Sequence, residues 1–231
     1  MKGLGIAKLA QPKDPNRVFV DKYANPHAWL QTADRLHEQA VHMYRRRSSS
    51  PILTLVDANK VIVEQTVEID KPIFLLGGFA LENAIKAFLV YENPNWISNG
   101  RLSGKLKSHK LTELQKLSRH IPFKNKYIWV LSAFEFGLDS WFRYPCPLSI
   151  EQVSEQRQLH FMLWQGYEAL MKAYGKKIVT LLKSGWTGPG MEKQSWIVRG
   201  ETLGWKGLPL PNRNSTEHPE NYKSYKGKPQ A

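Results

Sequence analysis

Apolar positions recur along most of this chain at the three-to-four-residue spacing of helices, and one short stretch switches to strict alternation. Residues 1–24 carry glycine, proline and scattered charge without a period and read as an irregular arm. The first helix begins at Asn25-Pro26, an N-cap followed by proline at the first helical position. It carries Leu30, Ala33, Leu36, Ala40, Val41 and Tyr44 on one stripe and ends around Arg45-Arg46-Arg47. Between residues 52 and 69, Val61, Val63, Gln65, Val67 and Ile69 alternate with Ile62, Glu64, Thr66 and Glu68. Asp57-Ala58-Asn59 supplies a turn, so a β-hairpin is expected there. An isolated hairpin is marginal in water, so this one should pack on the helices or pair with something else.

A second helix starts at Asp70 with Pro72 in its first turn and runs through Leu76, Ala80, Leu81, Ala84, Ala87, Phe88 and Tyr91. It is apolar around more than half its circumference and is the expected centre of the fold. Gly77-Gly78 within it calls for a close helix approach or a bend. A loop around 93–104 leads to a short helix carrying Leu111, Leu114 and Leu117. A further helix, from about Lys126 to Phe142, places Val130, Leu131, Phe134, Leu138 and Trp141 inward and must stop before Pro145. Ser149 to Gln152 reads as a capping box opening a long helix or helix pair to about Lys183, with Gly166 and Gly175 as breaks. From Ser184 onward Gly, Pro, Asn and Lys dominate, which suggests a tail docked by Trp186, Trp196 and Trp205. The expected fold class is mainly α: an antiparallel helical bundle of four to six helices over 25–183, with a small β-hairpin and an irregular C-terminal tail over 184–231.

Composition narrows the setting. With 231 residues and 42% hydrophobic content the chain can bury one sizeable core. The run from Ile73 to Tyr91 is interrupted by Glu82, Asn83 and Lys86, which would be costly together at a bilayer centre, so it reads as a buried core helix and no membrane role is expected. A single cysteine, Cys146, cannot form an intramolecular disulfide, and Lys8 and Pro12 stand where a signal peptide needs an unbroken apolar run. A cytoplasmic protein is expected.

The net charge of +13 attracts polyanions, and it is concentrated. Arg101, Lys105, Lys107, Lys110, Lys116, Arg119, Lys124 and Lys126 face a single acid in their segment, Glu113, which makes this stretch +7. It is the candidate surface for phosphate or nucleic acid, with a solvated solubility loop as the plain alternative. The histidines fall in no paired-ligand motif: His37 and His42 are five apart, His109 and His120 eleven apart, so no metal site is expected. The sequence contains no phosphate-cradling GxxxxGK[ST], no dinucleotide fingerprint and no nucleophile elbow. It therefore points to no cofactor. Glu82 and Lys86, four apart in the favourable order, form a helix-surface ion pair or, with Asn83, line a polar cleft.

Three strings carry a resemblance: Gly78 to Val90 (GFALENAIKAFLV), Ser108 to Leu114 (SHKLTEL) and Phe142 to Pro145 (FRYP). In this order and spacing the chain resembles the HEPN superfamily over about residues 72–147, a third of its length. The resemblance implies an up-and-down helical bundle, often a homodimer. Many members are metal-independent ribonucleases with an Arg-x4-6-His motif, in which histidine moves a proton and arginine stabilises phosphorane charge. Here Arg143 stands at the expected place, but Leu148, Ser149 and Ile150 occupy the positions where histidine would follow. Arg35 and His42 meet the spacing on the first helix, which reads as coincidence. His109 is the histidine that would have to stand in, with a core or capping role as its plain alternative; Arg143 and His109 are thus the catalytic candidates.

The resemblance also covers non-catalytic members, as partners of small nucleotidyltransferases or as nucleotide-binding modules. The leading expectation is an RNA- or nucleotide-binding protein of a prokaryotic defence or toxin–antitoxin type system, without robust ribonuclease activity. If it is an enzyme, a metal-independent endoribonuclease is expected. The rival is an interaction subunit whose hairpin and Trp-bearing tail dock on a protein partner.

Overall fold

The computed structural model describes residues 14–47, 53–66, 70–139, 161–207 and 209. Within them the chain forms six α-helices and four small two-stranded antiparallel sheets: the expected mainly α bundle with small hairpins. The helices are α1 (Pro15–Lys22), α2 (Pro26–Arg45), α3 (Asp70–Glu92), α4 (Leu111–Leu117), α5 (Ile128–Asp139) and α6 (Phe161–Ser184).

The first departure is α1, inside the expected irregular arm. Asp14 caps it through Oδ1, which accepts the Asn16 amide at 3.1 Å, and Pro15 opens it. This is the same cap-then-proline signal that starts α2, where Asn25 Oδ1 accepts the Ala28 amide at 2.8 Å. The buried Asn25 also donates through Nδ2 to the carbonyls of Val20 and Asp21, so one side chain closes α1 and opens α2.

The hairpin forms between β1 (Leu53–Val56) and β2 (Ile62–Thr66), with Asp57 Oδ1 accepting the amides of Asn59 and Val61 at the turn. Its packing differs from expectation: Leu55, Val56, Val61, Ile62 and Val63 are all exposed, so among the described residues nothing covers it.

Helix α3 is the centre, with Leu81, Ile85, Phe88 and Leu89 fully buried. It alone among the described residues is long and apolar enough to cross a membrane, and its apolar surface is spent on the bundle core. Gly77 and Gly78 mark a close helix approach: a Cβ on Gly77 would stand 2.6 Å from Phe134 Cε1, and one on Gly78 2.9 Å from Leu138, both on α5. Gly166 and Gly175 were expected as breaks, yet α6 runs unbroken through both. Each is a packing site instead: a Cβ would meet Trp129 at 2.7 Å from Gly166, and the Thr202 carbonyl at 2.5 Å from Gly175.

After α6 the chain stays folded where the sequence suggested a tail. Strands β5 (Trp186–Thr187) and β6 (Lys193–Gln194) form one short hairpin, and β7 (Glu201–Thr202) and β8 (Trp205–Lys206) another. Trp186 is buried and donates from Nε1 to the Val90 carbonyl at 3.3 Å, while Leu203 is buried and its amide donates to Asp34 Oδ1 at 2.7 Å. The capping box at 149–152, Arg143, Trp141 and Cys146, like the tail beyond residue 209, lie outside the described residues.

Candidate functional site

Polar side chains on α3 are brought together with a residue from the basic segment. Lys86 Nζ donates to Glu82 Oε1 at 2.6 Å, and His109 Nδ1 lies 2.9 Å from Glu82 Oε2. The ion pair is not on the helix surface: the side chains of Lys86 and Glu82 are only 4% and 6% exposed, whereas His109 is 48% exposed. The pair is thus interior and reaches solvent through His109. Lys86 also sits 5.7 Å over the Trp29 ring, so its charge is held by a carboxylate and an aromatic face. A carboxylate only accepts, so His109 Nδ1 is the donor in this contact. Asn83 is not part of this group: its Nδ2 donates back to the Phe79 carbonyl one turn earlier.

His109 is fixed because the segment around it is. The loop expected at 93–104 contains β3 (Ile97–Ser98) and β4 (Arg101–Leu102), joined at Asn99-Gly100 with φ of 48° and 67°, the left-handed pair a tight hairpin turn requires. A 3-10 turn over Gly104–Lys107 then buries Leu106 and leaves Lys105 and Lys107 outside. The start of α4 is capped by Glu135 of α5, which accepts both the amide and the hydroxyl of Thr112 at 2.7 and 2.8 Å. The turn that follows α4 is held by Glu92 of α3, which accepts the Ser118 hydroxyl and the amides of Arg119 and His120.

The eight cations of this segment are not equivalent. Lys116 is paired with Glu113 at 2.7 Å, Lys124 donates to the Ser118 carbonyl, and Arg119 Nε lies 3.9 Å from Glu92. Lys105 sits 5.0 Å over Trp96, and Lys126 lies over both Tyr127 and Phe123, at 5.2 and 5.9 Å. Arg101, Lys107 and Lys110 are exposed and have no ion-pair partner among the described residues. Phe123 is 60% exposed and its backbone has φ of 55°, an uncommon state for a bulky residue. The arrangement offers cations for phosphate and a ring on which a base can stack. Arg143, the other catalytic candidate, is outside the described residues, so its position relative to His109 is not part of this geometry.

The sequence reading missed a second locus. A cleft of about 640 Å³ opens between α2, α6 and the β7–β8 hairpin, lined among others by Asp34, His37, His42, Arg45, Glu168 and Glu201. His37 is buried, and burial, aided by the Arg45 charge, pushes its imidazole down to about 4. Burial raises Asp34 above the ordinary carboxyl range; the Leu203 amide opposes this, and the charges of Glu38 and Glu201 add to it. Burial likewise raises Glu168, against the opposing pull of Arg45. Titratable groups shifted together in a cleft are the usual mark of a functional site. The available signal was the recurrence of Asp34, His37, Glu38, His42 and Arg45 on one helical face, which looks like a solvated face until α6 and residues 201–204 stand opposite it. His42 lines the cleft and Arg35 does not, so that spacing match does not assemble a site. Among the described residues no group of three or more His, Cys, Asp or Glu is placed to hold a metal ion.

Comparison of the chain with models of protein families, with curated proteins and with solved structures found no match.

Proposed function

We propose that this chain is a HEPN-like protein that binds single-stranded RNA or a nucleotide through the surface between Arg101 and Lys126, in the cytoplasm and without robust ribonuclease activity. The observation that carries the reading is that Arg101, Lys107 and Lys110 stand exposed without an ion-pair partner among the described residues, on locally ordered turns rather than on a free loop. Unpaired cations on a fixed frame are the electrostatic footprint of a phosphate backbone, and the exposed Phe123 beside Lys126 adds a stacking platform. His109, two residues before α4 in the same segment, is tied to Glu82 and half-exposed. Cleavage is left out because no histidine follows Arg143 at the family spacing. A prokaryotic defence or toxin–antitoxin setting, a homodimer and a nucleotidyltransferase partner belong to the proposal through the resemblance alone.

The test is binding of a labelled single-stranded RNA as a function of salt. The wild-type affinity should fall steeply with ionic strength. Replacing Lys105, Lys107 and Lys110 together by Glu should abolish binding with thermal stability nearly unchanged. Unchanged affinity in that variant would sink the reading. Cleavage of RNA in EDTA that is lost on His109→Ala or Arg143→Ala would restore the catalytic alternative.

A second reading, an interaction subunit, is favoured by the hairpin whose Leu55, Val56, Val61, Ile62 and Val63 are all exposed. Five apolar side chains in solvent on one small sheet ask for a protein surface. Co-purification of a partner that resists nuclease, and is lost on Ile62→Lys, would support it.

A further inference from the structure

The cleft between α2, α6 and the β7–β8 hairpin takes no part in the proposed RNA surface, and its charge runs against the rest of the molecule. In a chain of net charge +13, its walls bring Asp34, Glu38, Glu168 and Glu201 against only Arg45 and Lys172. Four carboxylates against two cations leave an excess of two negative charges. Asp34, Glu38 and Glu201 have no ion-pair partner among the described residues, and the latter two lie near enough to Asp34 to disfavour its charge. This end of the cleft is therefore short of positive charge.

The other end is different. Arg45 acts on both His37 and Glu168, and it lies seven residues beyond Glu38 on α2, about 10 Å along the helix axis. His37, one residue before Glu38 on α2 and within reach of the Arg45 charge, is only 6% exposed, with Nδ1 3.0 Å from the Tyr167 hydroxyl. Tyr167 is itself fully buried, and its O–H proton has His37 as its hydrogen-bond partner, so the phenol donates to Nδ1 and the imidazole proton sits on Nε2. Nε2 has no partner among the described residues. It is not sealed off either, since the indole nitrogen of Trp29 is the one buried side-chain polar atom among those residues left enclosed without a partner. It faces the cleft beside Gly204, where an added Cβ would stand 3.6 Å from it. A buried donor, held in one tautomer and aimed into a cleft, calls for an acceptor on whatever enters.

We infer that this cleft binds a small zwitterion whose cation stands at the far end from its carboxylate, with a side-chain ammonium or guanidinium between Asp34, Glu38 and Glu201 and a carboxylate against His37 Nε2 and Arg45. The cleft volume of about 640 Å³ lies within the range of small-molecule sites and has room for an amino acid. A bare metal ion fits poorly, because no group of three or more ligating residues converges there among the described residues. An anion alone would meet the excess carboxylates, and a cation alone would leave His37 Nε2 unanswered.

The test uses the full chain and three probes of nearly equal size: L-arginine, citrulline, which replaces the guanidinium by a neutral group, and agmatine, which lacks the carboxylate. Calorimetric titration should show saturable binding of L-arginine, with citrulline and agmatine each weaker by about tenfold or more, the loss of one charge-assisted contact. Glu38→Gln and Glu201→Gln, both at exposed positions, should weaken L-arginine by a similar factor with the melting temperature of the free protein unchanged. His37→Asn, which keeps a group for Tyr167 but presents none at Nε2, should weaken L-arginine while leaving agmatine, which has no carboxylate, unchanged. Absence of saturable binding, citrulline or agmatine binding as tightly as L-arginine, or full affinity in both Gln variants would overturn the inference. None of these results bears on RNA binding, which the Lys105, Lys107 and Lys110 variant reads separately.

Discussion

Lys86 and Glu82 form an ion pair at 2.6 Å with both side chains almost wholly withdrawn from water, on the central helix of the bundle. Removing one partner of such a pair strands the other charge in the core and costs about 3–5 kcal/mol, whereas replacing both by apolar groups is often close to neutral. Glu82→Leu should therefore be severely destabilising, since it leaves the Lys86 ammonium without its carboxylate, and Glu82→Leu combined with Lys86→Met should recover most of the loss. Urea unfolding of the two variants decides this; a single variant within 1 kcal/mol of wild type would mean that the pair is solvated.

Gly77 faces Phe134 so closely that an added Cβ would stand 2.6 Å from the ring. Gly77→Ala gains about 1 kcal/mol of helix propensity but must push a packed aromatic, and overpacking costs about 1–3 kcal/mol. The expected result is net destabilisation. Gly104, with nothing within 4 Å of its added Cβ, should accept alanine without loss and serves as the control. Equal melting temperatures for the two variants would contradict the close approach of α3 and α5.

Phe123 combines an exposed ring with a left-handed backbone and a lysine over its face. If bases stack there, Phe123→Ala should weaken single-stranded RNA by about 1–3 kcal/mol while folding stability moves within about 0.5 kcal/mol. Fluorescence anisotropy with a short labelled RNA measures it. Undiminished affinity would remove Phe123 from the interface and leave the cations alone.

His37 sets an acid limit on stability. Its imidazole titrates near 4 in the folded chain against an ordinary value of 6.5, so between those values the unfolded chain takes up a proton that the native state refuses. The contribution is intact above pH 6.5 and is lost as pH falls towards 4, a total of about 3 kcal/mol. His27, also pushed down by burial, adds in the same direction. The raised carboxyls of Asp34 and Glu168 act oppositely, since the native state binds their protons first. Comparison with His37→Asn isolates the histidine: the stability difference between wild type and variant should shrink from pH 7 to pH 4, and parallel unfolding curves would refute it.

Several elements were legible in the sequence because each is a property of one segment. The stripe from Leu30 to Tyr44, the apolar circumference of α3, the leucines of α4 and the Asp57 turn of the hairpin need only a period or a cap to be read. The signals for α1 and for the Asn99-Gly100 turn were equally local but sat inside stretches dismissed for their glycine and charge. Charge count located the basic segment, and helical spacing paired Glu82 with Lys86. Neither told a buried pair from a surface one, nor an unpaired lysine from one resting on a ring.

Those distinctions depend on what stands opposite, and only the tertiary structure decided them. Gly166 and Gly175 looked like helix breaks because glycine weakens an isolated helix, but their missing Cβ atoms let Trp129 and Thr202 approach α6, and packing outweighs propensity. His109 joined Glu82 through a fold that brings α4 against α3. The cleft around His37 exists because Leu203, 169 residues from Asp34 in the chain, docks its amide on that carboxylate. Periodicity describes one element at a time, whereas burial, and with it the shift of His37 and the freedom of its Nε2, is set by the element packed on the other side.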